Sequence, residues 1–309
     1  MIIKYLKKEN IKKTISFFLL GVFVSEILSY GNYFAIWEIG KGNSSNPTVF
    51  MYHTFYSIFL AIAASIVVIK ILVTKILIQR MIYLLFLLTI SLNMLFNVGR
   101  TGQISFLLTI LLICMIHYKN KVRYFFLIAF LMTTTIALNY QFNSTFQERV
   151  NFIKSDIENI TKEDNFNTSI GARLGFWLIT NDIITESNKN LFLGLGAKQN
   201  IKEAKIIVDT KYPELYYNKT LHSFHNIYLS IITQFGLIGL ILFLILIYSL
   251  LRIKIIDYEI RLIKYSLISV FLLSALVEMS FYKNFTLSLF SLFLGIILSQ
   301  SKFEKKKMS

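Results

Sequence analysis

Cysteine is nearly absent: the 309 residues hold one, Cys114. An internal disulfide is therefore excluded, and no loop is stapled. Cysteine–histidine zinc spacing is missing as well, and no metal or cofactor is expected. Proline occurs twice, so few helices should be sharply kinked. Acidic residues number 17 against 32 Lys and Arg, a net charge of +15. That balance can signal nucleic acid, but these basic residues are not gathered on an aromatic-interleaved domain. They lie between apolar runs, where they act as topology signals. What the chain has in excess is apolar residues, 55% of the total with 15% aromatic. A soluble domain usually holds about 45–50%.

Eight apolar runs read as spanning helices, at about 14–30, 49–69, 81–98, 103–118, 122–142, 226–251, 262–281 and 284–300. The expected fold is all-α: a polytopic membrane protein forming a single membrane domain over 1–309. It has about eight transmembrane helices and one long periplasmic loop, 143–225, bearing an interfacial helix. Lys4, Lys7, Lys8, Lys12 and Lys13 precede the first run without a cleavage site after Tyr30, so that run reads as a retained helix. With the N-terminus inside, short inner segments hold nineteen Lys and Arg; short outer ones hold only Lys41, Arg100 and Lys283. Both termini are then cytoplasmic and the long loop faces out.

This orientation sorts the polar residues too. Glu26, His53, Asn93, Asn97, Arg100, Gln103, Gln234 and Glu278 fall in the outer half or at the outer boundary. Polar groups in lipid are costly and often functional, which suggests a polar cavity opening outward. Within the loop, 172–186 reads as a helix. Leu174, Trp177 and Leu178 share one side, with Phe176, Ile179 and Ile183 adjacent. It is expected on the outer leaflet or as a lid. The stretch 143–168 is polar and Asn-rich and is expected to be partly mobile. Gly194-Leu195-Gly196 marks a turn.

Three places carry chemistry. Gly99-Arg100-Thr101-Gly102 is a tight outer turn, and Arg100 would sit at headgroup depth, where a guanidinium offers a planar fork to phosphate oxygens. Arg173 opens the interfacial helix at similar depth, although a cation at a helix N-terminus is mildly unfavourable. Leu221-His222-Ser223-Phe224-His225-Asn226 returns the loop to the membrane. A histidine there can take a proton from a sugar hydroxyl at neutral pH. Nine residues after Asn226 comes Gly236-Leu237-Ile238-Gly239, whose small residues allow close helix approach.

The stretch HNIYLSIITQFGLIGLILF resembles the O-antigen ligase and polymerase family, whose hallmark is His-Asn, nine residues, then Gly-x-x-Gly. GARLGFW…FLGLGAKQ is similar to its Arg-x-x-x-Trp element and following Gly-x-Gly turn, and GRTGQISFLLTILLI to the helix start bearing another arginine. The resemblance covers about 84–250. Two departures stand out: the family usually has more helices before the loop, and Asn190-Leu191 stand where proline is common. The resemblance implies an inverting, metal-independent glycosyltransferase whose donor is a glycan on undecaprenyl pyrophosphate. Arg100 and Arg173 would bind the pyrophosphate, and His225 would be the base. Asn226, the weaker candidate base His222 and Glu278 would be substrate-binding or orienting residues. Tyr212, Tyr216 and Tyr217 could stack on sugars or simply pack in the loop.

The leading reading is ligation of O-antigen to the lipid A core of lipopolysaccharide, favoured by the well-formed His-Asn element. The close rival is a polymerase, whose acceptor is another lipid-linked repeat unit. A transporter or flippase of lipid-linked sugars predicts polar groups through the full membrane depth and an internal repeat; the sequence has neither. A structural subunit needing a partner is the remaining rival.

Overall fold

A computed structural model describes residues 8–308 other than 41, 98, 119–122, 124–125, 127–129, 131–132, 135–139, 142–143, 164–165, 214 and 216–221. Among the described residues are eleven helices. They are α1 (Lys8–Tyr33), α2 (His53–Val73), α3 (Leu77–Phe96), α4 (Arg100–His117), α5 (Ser144–Glu163), α6 (Ser169–Thr185), α7 (Asn188–Leu193), α8 (Gln199–Lys211), α9 (Ile227–Arg252), α10 (Tyr258–Ala275) and α11 (Asn284–Met308). The one β feature described is an isolated bridge between Asn43 and Asn46.

Among the described residues, six helices are long and apolar enough to cross a membrane: Glu9–Tyr33, His53–Val73, Leu77–Phe96, Arg100–His117, Ile227–Arg252 and Asn284–Lys307. The chain is a polytopic membrane protein. Of the eight spans expected, 122–142 lies largely outside the described residues. The run 262–281 is helical only to Ala275 and then gives way to turns. Its helix starts earlier, at Tyr258, and so takes in Glu259, Arg261 and Lys264. That charge is costly in hydrocarbon. Lys264 is not a loop cation: it is buried, and its Nζ donates to the carbonyls of Leu251 (2.8 Å) and Ile253 (2.9 Å). Those are carbonyls that the end of α9 leaves without helical partners.

Two packing units are present, 1–125 with 249–274 and 280–309, and 126–248 with 275–279. In the first, α2 is the hub, touching α1, α3, α4 and α11. Leu60 through Val67 are buried, several of them Ala or Ser. Small residues let neighbours come close where lipid gives no hydrophobic drive. Away from α2 the surface is apolar: Leu77, Ile78, Met81, Ile82 and Leu85 of α3 are exposed, as suits a helix facing lipid. At the far end of α2, Lys70 pairs with Glu259 at 2.9 Å. His117 Nδ1 meets the Tyr258 hydroxyl at 2.8 Å.

The second unit holds α5 to α8 and most of α9. Phe176, Ile179 and Ile183 of α6, Ala204, Ile207 and Val208 of α8, and Leu215, Phe224 and Leu229 form its buried core. The loop is thus a packed helical layer. Residues 144–163, expected to be partly mobile, are helix α5. Val150, Ile153, Ile157 and Ile160 recur at the spacings of three and four that suit a helix, although Ile153 and Ile157 stay exposed. Asp156 ties it to α6 by accepting from the Ile170 backbone at 3.4 Å.

Candidate active site

The Arg100 turn belongs to the first unit and is built by its glycines. A Cβ on Gly102 would lie 2.0 Å from the Ser57 carbonyl oxygen, and one on Gly99 2.4 Å from that of His53. Only glycine lets α4 start this close to α2. The Gly102 backbone donates to Ser57 Oγ at 3.1 Å and that of Gly99 to Asn97 Oδ1 at 2.9 Å. Gln103 Nε2 donates to the Met94 carbonyl at the end of α3. Arg100, first residue of α4, projects exposed from this frame. The same unit holds Glu26, Asn93 and Asn97, each buried to 2% exposure or less. Glu26 Oε2 faces Thr89 Oγ1 at 3.3 Å, and Ser29 Oγ donates to Asn93 Oδ1 at 3.3 Å. Residues far apart in sequence are gathered here on α1 and α3.

The second unit carries His225. Asn226 caps α9: its Oδ1 accepts from the Leu229 backbone at 3.1 Å, and its Nδ2 donates to the Leu276 carbonyl at 3.0 Å. Ser230 Oγ donates to Met279 Sδ at 3.3 Å. The strip 275–279 is thereby pinned beside the start of α9. This brings Glu278 Oε2 to 3.8 Å from His225 Nδ1, beyond a hydrogen bond but within ion-pair reach. His225 has φ +46°, a left-handed conformation that costs a non-glycine residue about 1–2 kcal/mol. The reversal puts Phe224 into the core and turns the His225 ring out. Phe176 lies under that ring, nearly parallel at 20° and 6.1 Å between centroids. The His225 side chain remains 55% exposed, open to a reactant. His222 is exposed upstream.

Arg173 lies on α6 one turn before Phe176 and is exposed, whereas Phe176 is buried. Thr168 caps this helix, its side chain accepting from the Gly171 backbone at 2.9 Å. Phe176, Ile179 and Ile183 are the buried face, whereas Leu174, Trp177 and Leu178 are exposed. The fold brings Phe176, His225 and Glu278 together; Arg173 belongs to the same unit and Arg100 to the other.

A second frame holds α9. It breaks at Gly236 (φ 62°, ψ −164°), a conformation essentially restricted to glycine. The scarcity of proline did not keep this helix straight. The Leu195 and Gly196 backbones donate to the Thr233 and Gln234 carbonyls at 2.9 and 2.8 Å. A Cβ on Gly236 would lie 2.3 Å from the carbonyl carbon of Phe192; one on Gly194 would lie 2.5 Å from that of Gln234. The close approach expected of Gly236 is made to this turn. Asn200, fully buried, adds a bond from Nδ2 to Thr233 Oγ1 at 3.0 Å.

Residues 84–244, a little more than half of the chain, match the family model described as O-antigen ligase. The chain belongs to the O-antigen ligase family. The matched stretch starts where the motif reading put it and stops six residues short of 250. No curated protein matches the chain. O-antigen ligase family members are membrane glycosyltransferases, ligases and polymerases, and the family implies lipid-linked glycan substrates. In this member the hallmark asparagine is buried with both amide ends on backbone groups. It holds the turn that presents His225. Asn226→Ala should cost about 1–2 kcal/mol, a lost cap plus a stranded carbonyl, measurable as a lower unfolding midpoint of purified protein.

Sequence reading missed Phe176 as a partner of His225, and Asn200 with Thr233. Phe176 read as an ordinary apolar helix position, and nothing local marks a ring stack 49 residues away. Tyr212 packs against the core; Tyr216 and Tyr217 are outside the described residues.

Proposed function

We propose that this protein moves a glycan from undecaprenyl pyrophosphate to a sugar hydroxyl at the periplasmic face, ligating O-antigen to the lipid A core. The observation that carries the reading is the outward-turned His225 ring, stacked on Phe176 with the Glu278 carboxylate 3.8 Å from Nδ1, in a chain of this family. Nδ1 faces the carboxylate, so Nε2 is the nitrogen left to accept a proton. The acceptor hydroxyl gives its proton to Nε2 as its oxygen bonds to the anomeric carbon. The carbon–oxygen bond to phosphate breaks from the opposite side, and undecaprenyl pyrophosphate leaves with the electron pair. Configuration inverts. Glu278 offsets the charge on the imidazolium that forms.

In this reading Arg100 and Arg173 each offer, from their own unit, a guanidinium fork to pyrophosphate oxygens, where negative charge grows. Both termini lie in the cytoplasm, with His225 at the outer headgroups. Arg100→Ala and Arg173→Ala should each abolish surface polysaccharide while the protein still inserts, checked by membrane fractionation beside a polysaccharide gel. Loss of a ligase leaves bare core and polymer trapped on carrier. Core bearing one repeat unit would assign the chain as a polymerase instead. Purified protein given defined lipid-linked glycan and two acceptors, core oligosaccharide and a second lipid-linked unit, separates the two directly.

A further inference from the structure

We propose that α7 is a re-entrant membrane tip, with Phe192 and Leu193 inserted among the lipid chains of the leaflet on the His225 side. The inference rests on α9 crossing the membrane and not on the reaction. In sequence α7 belongs to the polar loop. In space its end is locked to the middle of α9: the two backbones meet at Gly194 and Gly236, and the Leu195 and Gly196 amides bond to α9 carbonyls. The depth of α7 is therefore the depth of Gly236.

That depth follows from helix geometry. Below the break, α9 runs from 237 to Arg252, about 24 Å at 1.5 Å per residue. The hydrocarbon layer is about 30 Å thick. With Arg252 at the opposite interface, Gly236 lies inside the layer, short of its edge by about 6 Å. Any tilt of α9 puts it deeper. Large apolar side chains are exposed at this level: Phe192 is 50% exposed, Leu193 57%, and Phe235 and Ile238 of α9 48% each.

Irregular backbone survives in hydrocarbon only where its polar groups are spent inside the protein. The amides of 194, 195 and 196 all are, on the carbonyls of Asn190, Thr233 and Gln234. Exposed lysines flank the tip, Lys189 before it and Lys198 after it. Their stems can follow the apolar surface while the ammonium groups reach phosphate headgroups. Lipid chains are thus the occupant that fits both the exposed apolar side chains and their cationic rim.

A nitroxide on Phe192→Cys, in a Cys114→Ala background reconstituted in phospholipid vesicles, tests this by power saturation. The label should be relaxed more by oxygen than by a water-soluble nickel chelate, as at Ile241→Cys on the lipid side of α9. At Lys202→Cys on α8 the nickel chelate should dominate. Leu193→Cys gives a second reading if the first variant misfolds. Nickel dominance at the tip, matching Lys202→Cys, overturns the proposal. Because glycan transfer is not the readout, loss of the proposed reaction would leave this result standing.

Discussion

His225→Ala protein should insert normally and transfer glycan about 10²–10⁴ times more slowly than the wild type, the usual worth of a general base. The turn complicates that single variant, because φ at this position is +46° and alanine resists it. His225→Asn is the sharper form. Asparagine tolerates left-handed backbone, so the turn survives and only the base is gone. Both variants should fall to the same residual rate, while the asparagine form unfolds at the wild-type temperature. Glu278→Gln should lower kcat by less, with KM unchanged, since it removes charge compensation that matters only once the ring is protonated. Near wild-type turnover of defined donor by His225→Asn would end the assignment of His225 as base.

Gly236→Ala should disrupt the second unit outright. Its added carbon falls 2.3 Å from the Phe192 carbonyl carbon. Backbone on the other side of the contact cannot rotate out of the way as a side-chain tip can. The φ/ψ pair alone costs an alanine about 1–3 kcal/mol, and the overlap adds to it. Gly196→Ala is the control: φ is also positive, at +85°, but nothing lies within 4 Å. It should cost only about 1 kcal/mol. Limited proteolysis across 188–200, with thermal unfolding of each purified variant, reads the difference. Equal behaviour of the two would mean that the joint is not rigid.

Much of this architecture was legible in the residues, and for definite reasons. Long apolar runs mark spans because hydrocarbon admits little else, so α1 to α4, α9 and α11 were found with modest boundary shifts. The run at 262–281 misled because its buried half is as apolar as a span, while Lys264 looked like a topology charge rather than a cap for α9 carbonyls. The helix over 144–163 was hidden by polar composition. The motif around His225 is local and was read directly. Its supports are not local: Phe176 lies far upstream and Glu278 far downstream, and each depends on packing that no spacing rule encodes. Gly236 showed the opposite failure. Its spacing was plain, but a glycine pair in an apolar run reads as a seam between helices, and nothing nearby reveals a backbone turn seated on it.

The joint between the 192–196 segment and α9 is made of peptide groups and missing side chains, with the buried Asn200–Thr233 pair beside it. It therefore carries no vocabulary for sugars. Nearly every side chain of α5, α6 and α8 that faces away from the core can drift without disturbing it. The layer behaves as an exchangeable cassette on a fixed socket: relatives could accept different glycans by trading cassettes while keeping the socket's glycines.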